Sequence, residues 1–396
     1  MYILFIVKGT IFMNIIHFSD THLGFNDLDI INDEGINQRE ADFYDAFVQV
    51  INNIIEEKPD YVIHTGDLFH RSSPSNRAII FCLEQLKKIE KHNIPFIIIA
   101  GNHSTPKTVK NSPILKALKT IDNIHAIFEQ AYEKVEFEDV IFHAMPHIND
   151  ESKIEHELEI LEKNLNDNKS KSKNKKNIMM LHCSVGAFYL MQEFGEWCFP
   201  KNREYLFDKM DYVALGHWHG YGSVNKKLPH VCYSGSLERT SSSDKRNDKG
   251  YVQIALNKTC KIKFKPINIR KSYLLEIDCS NFEENLEKVV LDSKELKLKD
   301  ALLEIKLTNL TASKSIDIPN NFFNTVFEDV LYLSVKREFI KKDQSLFNED
   351  IQSISLQDYF IEQLEDNIED ENELNRLQKK VDVLFNEYEE SLNDTV

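Results

Sequence analysis

Five short apolar runs in this sequence each break off into an acid, an amide or an imidazole, and that pattern constrains the fold more than any other feature. MNIIHF (13–18) runs into Ser19-Asp20-Thr21-His22, YVIHT (61–65) into Gly66-Asp67, and PFIIIA (95–100) into Gly101-Asn102-His103. NIMML (177–181) runs into His182, and DYVAL (211–215) into Gly216-His217-Trp218-His219. Runs this brief and this rich in Ile and Val read as strands buried on both faces. Helical patterns alternate with them. One carries Phe43, Phe47, Val50 and Ile54 on a single face, the next Ile79, Leu83 and Leu86, and a third, over about 150–165, Ile154, Leu158, Leu161 and Leu165. Strand–helix–strand repetition predicts an α/β fold with helices packed on a buried sheet.

In open α/β sheets, ligands bind beyond the carboxyl ends of the strands. Five strand ends would therefore deliver Asp20, His22, Asp67, Asn102, His182, His217 and His219 to one edge. Mixed imidazole and oxygen donors suit Mn²⁺, Fe²⁺ or Zn²⁺, whereas Ca²⁺ or Mg²⁺ would favour oxygen alone. A carboxylate can bridge two ions, and Asp67 is central in the ligand order. Gly66, Gly101 and Gly216 stand where the chain must turn and approach a ligand closely. Any one of these motifs arises by chance; five in consistent strand-end positions point to a pair of divalent metals.

Composition narrows the class. A length of 396 residues, 42% hydrophobic and 28% charged, fits a globular protein of two or three domains. Six scattered cysteines form no CxxC pair, which argues against a disulfide scaffold or zinc ribbon and for a reducing, cytoplasmic setting. The net charge of −16 counts against a nucleic-acid ligand. Bound metal ions or a basic partner would offset it. The apolar start MYILFIVKGTIF is interrupted by Lys8, lacks a cleavage site and is too short to span a membrane; Met1 and Met13 both stand as possible starts.

The Lys/Asn/Ser-rich stretch 163–177 reads as a solvated, disordered loop. Composition shifts near 266, where SYLLEID (272–278) and ALLEIKL (301–307) flank a helical stretch at 281–291. The expected organisation is 13–265, 266–342 and 343–396. The last of these is an acidic helical tail in which Leu374, Leu377, Val381, Leu384 and Tyr388 alternate three and four apart like a short heptad seam.

Taken together, Asp20-Thr21-His22, Gly66-Asp67, Gly101-Asn102-His103, His182 and Gly216-His217-Trp218-His219 resemble the calcineurin-like metallophosphoesterase signature. SDTHLG (19–24), GDLFHRSSP (66–74), GHWH (216–219) and YSGSLERTS (233–241) resemble the SbcD-type nucleases of double-strand-break repair. The resemblance implies a four-layer sandwich over 13–265, a small α/β DNA-capping domain over 266–342, and C-terminal helices that bind an SbcC-type ATPase. It implies one metal held by Asp20, His22, Asp67 and His219, and a second by Asp67, Asn102, His182 and His217, with Asp67 bridging. Mn²⁺ is the expected ion, with Mg²⁺ or another divalent ion as a substitute. His103 would act on the phosphate and leaving group, and His70 would position the scissile phosphate. A homodimer acting on DNA as a 3′–5′ exonuclease and single-strand endonuclease is implied too. One position departs: the family carries an acid after its Asn-His pair, and Ser104 stands here, which predicts an altered rate.

Other polar residues have plainer readings. His17 and His64 lie inside strands and are expected to make local contacts; His143 and His147 either support strand ends or line the cleft. Asp211 reads as a turn residue, and Trp218 and Phe69 as packing beneath the metal loops in preference to stacking on bases. Arg71 and Arg239 are either phosphate contacts or surface ion pairs. Two competing functions stand beside the nuclease: a phosphatase or phosphodiesterase acting on a small substrate, and a scaffold subunit that has lost turnover. GDLFHRS disfavours a protein phosphatase, and the intact ligand set disfavours a scaffold.

Overall fold

The structure is a computed structural model, and it describes residues 12–106, 112–167, 175–186, 197–241, 248–319, 321–340, 377–378 and 380–381. Four strands, β1 (Met13–Phe18), β2 (Tyr61–His64), β3 (Phe96–Ile99) and β4 (Ile124–Ile127), run parallel in one sheet. A second sheet holds β5 (Glu133–Glu136), β6 (Val140–Met145), β7 (Lys176–His182), β8 (Tyr212–Gly216), β9 (Gly222–Ser223) and β10 (Val231–Tyr233), in the order β5-β6-β7-β8-β10-β9. The chain then returns to the first sheet as β11 (Gly250–Leu256) and β12 (Cys260–Pro266), completing the order β12-β11-β1-β2-β3-β4. The five strands that end in candidate ligands thus divide between two sheets, three in the first and two in the second.

Three apolar clusters stack these sheets into the expected four layers. Ile15, Ile63, Ile97 and Ile99 meet Phe142, Ile178, Met180 and Ala214 between the sheets. On the first sheet's outer face lie helices α1 (Gln38–Glu57) and α2 (Asn76–Glu90), through Phe47, Val50, Ile54, Cys82 and Leu86. Helix α3 (Glu151–Asp167) covers the second sheet with Ile154, Leu158, Leu161 and Leu165. The α1 stripe is the predicted one, and Phe43, Phe47, Val50 and Ile54 are all fully buried. On α2 the buried apolar residues are Ala78, Cys82, Leu86 and Ile89, while Ile79 and Leu83 are half-buried and pack against the same core. The small side chains of Ala78 and Cys82 allow α2 to sit close, and a reading keyed to large apolar residues overlooks them.

A third sheet, β13 (Ser272–Asp278), β14 (Leu302–Leu310) and β15 (Tyr332–Phe339), is joined by α4 (Phe282–Ser293). By internal contacts the described residues fall into two units. One comprises those within Met1–Glu276, Leu286–Lys306 and Asn320–Lys336, the other those within Ile277–Asn285, Leu307–Pro319 and Arg337–Val396. The apolar start, the centre of the Lys-rich stretch (168–174) and nearly all of the acidic tail lie outside the described residues. Among the described residues, no helix is long and apolar enough to cross a membrane.

Candidate metal centre

The loops that follow β1, β2, β3, β7 and β8 converge, and all seven predicted ligands meet where they do. Asp20, His22 and His219 place donor atoms within 4.8 Å of one another, as do Asp20, Asp67 and His182. Asn102 Oδ1 stands 2.9 Å from His182 Nε2, and the His217 ring lies 5.2 Å from that of His182. The His217 backbone N–H donates to the Asp20 carboxylate at 3.1 Å. His70 and His103 join His22 in a further cluster of imidazoles, also within 4.8 Å.

The backbone is bent to achieve this. Asp20, His22, Asp67 and His217 all adopt positive φ (51°, 47°, 55° and 92°). Such conformations are uncommon outside glycine and hold only where the surroundings enforce them. Two glycines make the crossing of loops possible. A Cβ on Gly66, itself at φ 105°, would collide with His182 Nδ1, and one on Gly101 would collide with the Asp67 carboxylate. That close fit is the reason the sequence carries glycine beside its ligands.

The donors fit divalent cations. His182 Nδ1 is held by the Thr65 carbonyl at 2.7 Å and His219 Nδ1 by Thr240 Oγ1 at 2.8 Å, which leaves each Nε2 facing inward. Hydrogen bonds of this kind fix ring orientation in metal-binding histidines. His22 Nε2 and His219 Nε2 face each other at 3.1 Å, a separation at which two nitrogen lone pairs need a proton or a cation between them. Burial opposes charge on His182, but the adjacent Asp67 carboxylate prevails and pushes the imidazole up to about 9. Burial likewise opposes ionisation of Asp67, and His182 nonetheless holds its carboxyl well below the usual range. The pair lies 3.2 Å apart and marks a place that calls for positive charge. A divalent metal held by Asp67 and His182 would supply that charge in place of the proton.

Supports that no sequence motif revealed surround this cluster. Lys249, almost fully buried, donates from Nζ to the His219 carbonyl at 2.8 Å and to Ser236 Oγ at 2.9 Å. Arg39 donates to Glu238 Oε1 at 3.3 Å and to the Arg239 carbonyl at 2.9 Å, and Arg270 reaches Asp42 at 2.7 Å. Thr240 falls inside the YSGSLERTS stretch, so its presence near the site was foreseeable; Lys249 carried no signal.

His103 and His70 sit on the open side. His103 Nδ1 lies 2.7 Å from the His70 carbonyl, its backbone N–H donates to Asp67 at 2.9 Å, and the two rings stack at 5.2 Å. Burial, then the neighbouring His103, pushes His70 down to about 4. Ser104 is fully buried, and among the described residues its hydroxyl has no hydrogen-bond partner, so it does not stand in for a carboxylate. His17 bonds Tyr212 OH and Thr65 Oγ1, and His64 bonds Thr21 Oγ1, so both brace the ligand loops from beneath. His143 is tied to Tyr132 and Asn177, whereas His147 stays near His182 and is pushed down to about 4, chiefly by burial. Asp211 is more than a turn residue, because it accepts from Lys176 Nζ and from the Asn177 backbone. Phe69 is buried as expected, but Trp218 is 41% exposed and does not pack beneath the loops. Arg71 is exposed, and Arg239 lines a cleft of about 400 Å³ together with Thr240, Tyr332 and Lys336.

The sequence has known relatives. Residues 13–221 match the calcineurin-like phosphoesterase family. The DNA double-strand break repair protein Mre11 of Methanococcus maripaludis is 29% identical over 384 residues, covering 93% of this chain and 95% of that protein. Mre11 of Sulfolobus acidocaldarius is 30% identical over 294 residues, 72% of this chain and 71% of its own. Mre11 of Methanocaldococcus jannaschii is 31% identical over 278 residues, 69% of each.

Proposed function

This chain belongs to the calcineurin-like phosphoesterase family and, within it, to the Mre11 group of repair nucleases; it is a metal-dependent phosphodiester hydrolase, and on that premise we propose a two-metal, Mn²⁺-dependent DNA nuclease. It acts as a 3′–5′ exonuclease and a single-strand endonuclease, as a homodimer in the cytoplasm, with an SbcC-type ATPase held by residues 343–396. Residues 266–342 cap the DNA. The observation that carries the reading is the convergence of seven donors from two sheets, with Asp67 3.2 Å from His182 and Asp20 common to both donor groups.

Asp20, His22, Asp67 and His219 would hold one ion, and Asp67, Asn102, His182 and His217 the other. Bound there, the ions would neutralise phosphate oxygens and bring the pKa of a water from about 15.7 to near 7. The remaining tasks fall on the chain. The stacked His70 and the His70 carbonyl fix the His103 ring, whose Nε2 is left to meet the phosphate. From there it stabilises or protonates the departing 3′ oxygen. Proton transfer by a positioned side chain contributes about 10²–10⁴-fold. Arg239 and Lys336, on the cleft that begins at Thr240, suit the phosphates of a strand leaving the site.

Mn²⁺-dependent hydrolysis of linear DNA, compared with that of a small phosphodiester, tests the proposal. The nuclease reading expects DNA to be cleaved and to be much the better substrate; turnover of the small ester alone would overturn it. Deleting 343–396 should abolish co-purification with the ATPase and spare cleavage of single-stranded DNA.

A further inference from the structure

We propose that Trp218 is a stacking platform for an unpaired nucleobase next to the scissile phosphate, a reading that rests on DNA being the substrate. The sequence has two tryptophans, and the structure treats them oppositely. Trp197 is 7% exposed and packs edge-on against His147. Trp218 is 41% exposed, although the residues on either side of it, His217 and His219, are both candidate ligands. Its Cα is one peptide, about 3.8 Å, from the Cα of each. A base held on its indole therefore lies within a nucleotide or two of the metal centre.

Local structure holds the ring at the surface. His217 precedes it at φ 92°, so the chain leaves β8 in a left-handed turn. Gly220 follows two residues later, and a Cβ there would come within 2.8 Å of Trp218 Nε1. The indole edge thus rests against bare backbone. Tyr221, 42% exposed and stacked on Phe264 at 4.4 Å, adds a second aromatic surface to the same loop. Exposed aromatic rings serve single-stranded nucleic acid because every base offers a face to stack, whatever the sequence. Stacking also suits this chain's charge. At −16 overall, long-range attraction to phosphates is weak, and contact with a base face does not depend on it.

Tryptophan fluorescence of the full chain, with metal chelated, tests the proposal. The probes are oligo-dT and an abasic oligonucleotide of equal length and charge. Oligo-dT should quench the emission and bind about 5- to 150-fold more tightly than the abasic strand, the range that stacking of one base supplies. Trp218→Phe should remove the quenching, leave the emission of buried Trp197, and keep part of the affinity. Trp218→Ala should raise KM for oligo-dT by a similar factor and leave the abasic strand little affected. Mn²⁺ binding by calorimetry reports whether His217 and His219 remain in place in that variant. If Trp218→Ala loses Mn²⁺, the comparison of oligo-dT with abasic strand on the parent chain and on Trp218→Phe decides alone. Equal affinity for both strands and unchanged emission, with DNA still cleaved, would overturn the platform and leave the nuclease reading standing. Absence of any Mn²⁺-dependent DNA cleavage by the parent chain would overturn both.

Discussion

The metal centre has a sealed half and an open half, built from the same residue types. Asp20, His22, Asp67 and His182 are buried to within 2% of complete exclusion from solvent. His70, Asn102, His103, His217 and His219 are half-buried, and Trp218 between the last two is exposed. In the sealed half, charges are matched inside the protein: His182 rests on the Thr65 carbonyl and on Asp67, with His17 and His64 neutral beneath. In the open half, His103 Nδ1 is held by the His70 carbonyl and His219 Nδ1 by Thr240, which leaves the second nitrogen of each for a ligand. The difference indicates a division of work. Burial strengthens the electrostatics that would retain the ions, and exposure admits a polymer that must thread through and leave.

Changes that break this contrast should differ most in the sealed half. Asp67→Asn removes charge from the carboxylate proposed to bridge both ions. It should reduce bound metal from two ions per chain to one or none, by elemental analysis, and bring DNA hydrolysis to background. In the open half, His103→Ala should keep the metal count and lower kcat by about 10²–10⁴-fold, by single-turnover cleavage. Equal metal loss in both variants would erase the distinction. Thr240→Val, which takes away the support of His219 Nδ1, should weaken metal affinity by about 10–100-fold and leave His182 unaffected. Isothermal titration measures it, and an unchanged affinity would remove Thr240 from the site.

The smallest effect concerns pH. Burial drives His17 and His64 down to about 3, from an ordinary value of 6.5. Between those values the unfolded chain binds more protons than the folded one, so stability is full above about pH 6.5 and drains as pH falls toward 3. Urea unfolding of chelated protein at pH 7.5 and 5.5 should show this loss. His17→Gln, which cannot titrate, should reduce the slope; an identical slope would place the pH sensitivity elsewhere.

The candidate ligands and the residues that brace them differ in how legible they were. Seven candidate ligands were readable because each sits at a fixed place, the end of an Ile/Val run, and strand ends are where α/β proteins expose chemistry. What braces those ligands was not, because its partners lie far apart in sequence. Arg39 and Glu238 are 199 positions apart, and Lys249 reaches a carbonyl, which any sequence provides. The α2 face was read incompletely because Ala78 and Cys82 are small, and Trp218 was misjudged because apolar residues between ligands are usually buried. Helices packed on a buried sheet followed from periodicity, and the four layers only from the family resemblance. The division of the ligand strands between two sheets did not, since parallel strands look alike whichever sheet they join.

The central claim is a pair of ions that share Asp67. Anomalous diffraction from crystals soaked in Mn²⁺ tests it most directly. Two peaks about 3.5–4 Å apart, one beside His22 and His219, the other beside Asn102, His182 and His217, with Asp67 reaching both, is the predicted result. A single peak, or two that do not share Asp67, would contradict it.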